Sequence, residues 1–217
     1  MQYTDSGQDP YCYPGTTVLK NLPRFTDEEK LQEFEADSSQ WQQIQLEKNP
    51  IQGDFDLEHL QRIHLQLFER VYEWAGKIRT VNIGKDGFLF ASYPFIEGYA
   101  KTLFTKLAKE RATWNPSNPP ENFIQKLAEY LGEINSLHPF REGNGRTQRI
   151  FIGHLARQYG IKLDWDKINA SEMIAASKSA MVGNNTKLEQ ILTACAQKHP
   201  APANPTKTKP SGDYGDI

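Results

Sequence analysis

The chain has 217 residues, a formal net charge of −2 and a pI near 6.2, so it lacks the basic footprint of a protein that binds nucleic acid as a whole. Its two cysteines and five histidines show neither Cys-x-x-Cys nor His-Glu-x-x-His spacing, which argues against a disulfide scaffold and a zinc site. No apolar run approaches the roughly 18 residues of a membrane span, and the N-terminus lacks the charged and apolar regions of a secretory signal. These features describe one soluble domain with appendages, made in a reducing compartment.

Residues 1–24, with prolines and tyrosines but no helical period, read as an extended arm on the body. Thr26 followed by Glu29 reads as a capping box, opening a helix whose apolar face is Leu31, Phe34, Trp41 and Ile44. A second helix starts near Asp56, presents Leu57, Leu60, Ile63, Leu67 and Val71, and ends by Gly76. The period then changes. Ile78 to Ile83 alternate, residues 84–87 supply a turn, and Phe88 to Ala91 follow, which predicts a β-hairpin, the only strand signal in the chain. Two strands alone are unstable in water, so this hairpin must lean on helices.

Pro94 can open a third helix through Phe95, Tyr99, Leu103 and Leu107, followed by a rigid loop from Trp114 to Pro120. The fourth helix carries Phe123, Ile124, Leu127, Leu131 and Ile134 and must stop at Leu137, because Pro139 disfavours helical geometry just before it. The fifth runs from about Gly145 to Tyr159 and ends at Gly160. Asn169 with Glu172, and Thr186 with Glu189, look like caps of two more short helices. From Lys198 the chain is proline-rich and almost without apolar residues, which predicts a disordered tail. The expected organisation is an arm (1–24), one mainly α catalytic domain (25–197) and a tail (198–217).

One segment carries chemistry: His138-Pro-Phe-Arg-Glu-Gly-Asn-Gly-Arg-Thr-Gln-Arg149. It is a polar loop that enters a helix N-terminus. Gly143, Asn144 and Gly145 let backbone amides turn inward as an anion nest, reinforced by the helix dipole. Arg146 and Arg149, three apart, project from one helix face, and two guanidinium forks beside a nest suit a polyphosphate better than one carboxylate. Glu142 is placed to join a magnesium ion to phosphate oxygens. His138 is the side chain here able to act as a general base near neutral pH. Taken singly, such a histidine is usually a cap, such arginines a solvated face and such a loop a plain turn.

The segment resembles the signature of the Fic family, His-Pro-Phe-x-(Asp/Glu)-Gly-Asn-Gly-Arg-x-x-Arg, at every fixed position from His138 to Arg149. The resemblance extends over roughly residues 55–195, through Tyr72-Glu-Trp-Ala-Gly-Lys-Ile-Arg79 and the hairpin with Phe90-Ala91, and the opening Asp9-Pro-Tyr is similar to the arm of compact bacterial Fic toxins. It implies a mainly α Fic-type helical bundle with one short hairpin, the flap, beside the active site. It also implies transfer of AMP from ATP to a Tyr, Thr or Ser hydroxyl of a target protein, with pyrophosphate leaving. His138 would take the proton and Glu142 would hold Mg²⁺. Gly143, Asn144 and Gly145 would cradle the α-phosphate, and Arg146 and Arg149 would grip the β- and γ-phosphates. Gly145 argues against the relatives that phosphorylate instead, while choline-phosphate or UMP transfer stays open. The flap, with Lys85, Phe90 and Ala91, would dock an extended target segment by β-augmentation.

Two readings from another class stand beside this one: an ATP-sensing pseudoenzyme and a non-catalytic helical interaction module. Relatives often carry an inhibitory helix, Ser/Thr-x-x-x-Glu-Gly/Asn, whose glutamate pairs with the second motif arginine. The literal match here, Ser117 to Asn122, contains Pro119 and Pro120, which prevent Ser117 and Glu121 from sharing a helix face. The resemblance therefore implies a cytoplasmic bacterial toxin restrained in trans by a small helical antitoxin bringing Ser-x-x-x-Glu. Delivery into another cell is a further possibility. Gyrase or topoisomerase IV is the first expected target, and neither nucleic acid nor a membrane is expected as a direct partner.

Overall fold

The computed structural model describes residues 2–3 and 8–199. Seven α-helices run through them: α1 (Glu28–Lys48), α2 (Leu57–Phe68), α3 (Ile96–Arg111), α4 (Phe123–Leu137), α5 (Asn144–Gln158), α6 (Ala170–Met181) and α7 (Thr186–Cys195). Five short strands accompany them: β1 (Gln2–Tyr3), β2 (Ile83–Lys85), β3 (Phe88–Leu89), β4 (Ile161–Leu163) and β5 (Ala196–Lys198). The protein is mainly helical, with antiparallel sheets of order β1-β2-β3 and β4-β5.

Helix α4 is the hub. Phe123, Leu127, Ala128, Tyr130, Leu131, Ile134 and Leu137 are all buried, a broad face that packs against α3, α5, α6 and α7 and leaves only a polar stripe with Gln125 and Glu133 exposed. Helix α5 lies against α4, α2 and β4. The loop between α4 and α5 is thus held at the meeting point of α2, α4 and α5, and that loop is the chemical segment.

Four differences from the sequence pattern have physical causes. The N-cap of α1 is Asp27 rather than Thr26, because the Asp27 carboxylate accepts from the N–H groups of Glu29 and Lys30. The face that α1 buries is Leu31, Ser39, Gln42 and Leu46, while Trp41 and Ile44 are 50% and 43% exposed. This helix turns polar groups inward, and Ser39 serves an arginine of the chemical segment. Thr186 is the first residue of α7 and not its cap; its N–H is held by the Asn184 side chain. Residues 8–24 are not extended but fold back at the glycine turn of Gly15, with Tyr13 N–H bonded to the Val18 carbonyl and Lys20 N–H to that of Tyr11.

The hairpin is shorter and later than the alternation predicts. Its turn is Asp86-Gly87, both with positive φ, the two-residue combination that matches strand twist, and Gly84 belongs to β2. Residues 78–82 are irregular because Arg79, 1% exposed, replaces a ladder with its side chain. Its Nε donates to the His138 carbonyl at 2.9 Å, Nη1 to Val81 at 2.6 Å and Nη2 to Ala91 at 2.5 Å. Lys198, expected in the tail, ends β5 on β4, and residues 200–217 lie outside the described residues.

Candidate active site

The chemical segment lines a cavity of about 300 Å³. The motif supplies His138, Glu142, Gly143, Asn144, Gly145, Arg146 and Arg149, the hairpin supplies Lys85 and Phe90, and α6 closes the side with Met173, Ile174 and Lys178. Every expected motif residue from His138 to Arg149 meets in this one place.

His138 caps α4 in the left-handed conformation, φ 44°. Its Nδ1 lies 2.9 Å from the Asn135 carbonyl. A carbonyl only accepts, so Nδ1 carries the proton and Nε2 is left as the basic nitrogen. Phe90 of the hairpin stacks on the ring at 3.6 Å between centroids. Burial pushes the imidazole down to about 3, and the Arg79 cation adds to the effect, so the ring is neutral at pH 7 and its Nε2 lone pair is unprotonated.

The loop that follows is closed by Asn144, whose Oδ1 accepts the Phe140 N–H at 2.9 Å while its Nδ2 donates to the Phe140 carbonyl at 2.7 Å. The Asn144 side chain is therefore spent on the loop itself. The Gly143 N–H is likewise taken, by the Glu142 carboxylate at 2.9 Å. The expected nest shifts by one residue as a result. The N–H groups of Asn144, Gly145 and Arg146 at the start of α5, which have no backbone partner among the described residues, are the donors available to an anion. Gly143 matters for space: at φ 77° a Cβ would lie 2.3 Å from the Phe68 ring. Gly145 faces the open cavity, with Arg149 Nη1 3.5 Å from where its Cβ would be.

The two arginines are held differently. Arg146 is clamped by Glu35 of α1, by Ser39 Oγ at 2.8 Å and by the Phe68 ring at 4.8 Å. Arg149 has no hydrogen-bond or ion-pair partner among the described residues, and burial together with the neighbouring Arg146 lowers its pKa. A half-buried cation next to a second cation is costly unless an anion joins it. Among the described residues no cluster of three or more His, Cys, Asp or Glu could hold a metal ion. Glu142 alone, with phosphate oxygens and water completing the shell, fits magnesium and no all-protein metal cage.

Several supports were invisible to the sequence pattern. His64 of α2 accepts the Gly76 N–H at Nδ1 (2.8 Å), sits 3.0 Å from the Glu142 carbonyl through Nε2, and stacks on Phe140 at 3.8 Å. Arg141, at the variable position of the motif, does not face solvent. It is 5% exposed and doubly bonded to Asp9 of the N-terminal arm, at 2.9 and 2.6 Å. The hairpin roles also change. Ala91 gives its N–H to Ser136 and its carbonyl to Arg79, so its backbone cannot pair with a target. Phe90 is a wall of the histidine. Lys85 does line the cavity, beside an Asp86–Lys178 ion pair of 2.9 Å that joins the hairpin tip to α6. With β1 on the outer edge of β2, the open edge of the flap is β3, whose Leu89 is 70% exposed.

The family model described as Fic/DOC matches residues 54–156, which span α2 to α5. Probable protein adenylyltransferase y4lH of Sinorhizobium fredii is 38% identical over 82% of this chain and 90% of its own length. The chain belongs to the Fic/DOC family. Protein adenylyltransferase VbhT of Bartonella schoenbuchensis is 41% identical over 88% of the chain, which spans only 40% of that relative. Among solved Fic domains, BepC of Bartonella tribocorum, a VirB-translocated effector with bound AMPPNP, superposes with a TM-score of 0.79 at 26% identity. That match covers 87% of this chain and 97% of that one. No helix among the described residues of this Fic protein is long and apolar enough to cross a membrane.

Proposed function

We propose that the chain transfers AMP from ATP to a Tyr, Thr or Ser hydroxyl of a target protein. The observation that carries this reading is Arg149: a half-buried cation with no ion-pair partner among the described residues, beside Arg146 and the N–H groups that open α5, in the cavity that His138 also lines. Such a site calls for a polyphosphate next to a neutral base. His138 Nε2 takes the hydroxyl proton as the oxygen attacks the α-phosphorus. The new O–P bond forms as the bond to pyrophosphate breaks, and the arginines and helix amides answer the charge on the departing pyrophosphate. Glu142 would hold magnesium, which supplies charge neutralisation across the phosphates when bound. The relatives' name as protein adenylyltransferases and the AMPPNP in BepC support ATP as the donor.

The target docks as an extended segment on the β3 edge. We place this chemistry in a toxin of the bacterial cytoplasm, acting on gyrase or topoisomerase IV. Ser117 to Glu121 lies in turns before α4 and not on a helix, so it cannot bring Glu121 to Arg149 as an inhibitory helix would. A separate helical antitoxin supplies that glutamate. Incubation with α-labelled ATP, Mg²⁺ and a bacterial lysate tests the transfer. A labelled band that mass spectrometry identifies as an adenylylated protein supports it, and nucleotide binding without label refutes it. Loss of label on adding the helical protein co-purified from the same operon supports the antitoxin, and unchanged label refutes it.

A further inference from the structure

Arg146 is not a free phosphate ligand waiting in a cavity. Its Nη2 is in an ion pair with Glu35, 111 residues earlier in the chain, and its Nη1 donates to Ser39 Oγ at 2.8 Å. Glu35 also accepts the Tyr72 hydroxyl, and its side chain is only 13% exposed. Tyr72 is itself buried and stacked on Trp74 at 4.2 Å. Two helices and a loop thus converge on one carboxylate whose sole charged hydrogen-bond partner among the described residues is an arginine of the phosphate cavity. Arg149, on the next turn of α5, has no such counter-anion among the described residues.

We propose that Glu35 is the counter-anion of Arg146 and sets how tightly the cavity holds polyphosphate. This inference rests on the reading that Arg146 and Arg149 face the β- and γ-phosphates. Pyrophosphate is the highly charged leaving group of the reaction, and it must be held during transfer and then let go. Two unanswered guanidinium groups would favour holding at both stages. With Glu35 in place, Arg146 keeps a fixed orientation through Glu35, Ser39 and the Phe68 ring, while part of its charge is already satisfied. A brace needs only hydrogen-bond partners for Tyr72 and Arg146. A carboxylate there adds charge, and charge acts on the ligand.

That distinction gives the test. Tyr72 and Arg146 use different oxygens of Glu35, so in Glu35→Gln the amide oxygen accepts from Arg146 while the amide NH2 donates to the Tyr72 hydroxyl oxygen, and the arginine keeps its position while the charge is gone. Pyrophosphate and a non-hydrolysable ATP analogue, each with Mg²⁺, are titrated calorimetrically into the wild type, Glu35→Gln and Arg149→Ala, with thermal melts confirming the fold. The gap between hydrogen bonds to charged and to neutral groups, about 1 kcal/mol, corresponds to about a fivefold change in Kd. Glu35→Gln is expected to bind both ligands about fivefold more tightly, and Arg149→Ala more weakly. Unchanged or weaker binding in a folded Glu35→Gln, with Arg149→Ala still weakened, overturns the role of Glu35 alone. If Arg149→Ala binds both ligands like the wild type, the polyphosphate reading fails, and this inference fails with it.

Discussion

Replacing Arg141 by alanine should unfold the protein at a much lower temperature, although the Fic signature leaves this position variable. Arg141 and Asp9 are 5% and 8% exposed and joined by two hydrogen bonds of 2.9 and 2.6 Å. Asp9 also accepts the Tyr11 N–H at 2.9 Å, and the Tyr11 ring packs edge-on against Trp74 at 5.5 Å. Removing the guanidinium leaves a carboxylate buried without its cation, which costs about 3–5 kcal/mol. For a chain of this size each kcal/mol lowers Tm by about 2–4 °C, so the expected fall is on the order of 6–20 °C. Differential scanning calorimetry of Arg141→Ala and of the double variant Asp9→Leu, Arg141→Met reads it directly. The double variant removes both charges and should recover most of the loss, since apolar replacement of a buried pair is often near neutral. A fall below about 2 °C for the single variant would show that the pair is effectively solvated and that the arm does not anchor the catalytic loop.

Acid should destabilise the fold well before its carboxylates titrate. Burial holds His64 and His138 at about 3 and His154 at about 4, all below the ordinary 6.5. The unfolded chain therefore binds protons that the folded chain refuses, so stability is full above about pH 6.5 and falls as pH drops toward 4. Three such groups give a slope of about 4 kcal/mol per pH unit, to be read from urea midpoints between pH 7 and 5; a flat profile contradicts it. Gly143→Ala should distort the loop, since its Cβ would overlap the Phe68 ring at 2.3 Å and adopt φ 77°. We expect a loss of nucleotide-analogue affinity of tenfold or more by calorimetry, and wild-type binding would contradict the packing.

The catalytic loop was legible because its information is local. A proline fixes the end of α4, glycines permit the turn, and the arginines recur at helical spacing, all within twelve residues of chain from His138 to Arg149. The long helices α2, α4 and α5 were legible for the same reason, their apolar residues recurring every three to four positions. What escaped is what the fold brings together from afar. Asp9 meets Arg141 across 132 residues and Glu35 meets Arg146 across 111, and no local pattern marks either carboxylate as a partner. Helix α1 misled because its inward face is partly polar, and Arg79 because a buried arginine bonded to three carbonyls reads in sequence as one more residue of an alternating strand. Strands β4 and β5 are three residues each, too short to show a period.

The central claim is that His138 Nε2 is the base in AMP transfer, and one paired measurement tests it most directly. His138→Ala and wild type are compared for transfer of label from α-labelled ATP to a target protein and for binding of a non-hydrolysable ATP analogue. Because the base acts only as the nucleophile attacks, transfer should fall at least about 100-fold while binding stays within a few-fold. Transfer retained above about a tenth of the wild-type rate, with binding unchanged, would contradict the account.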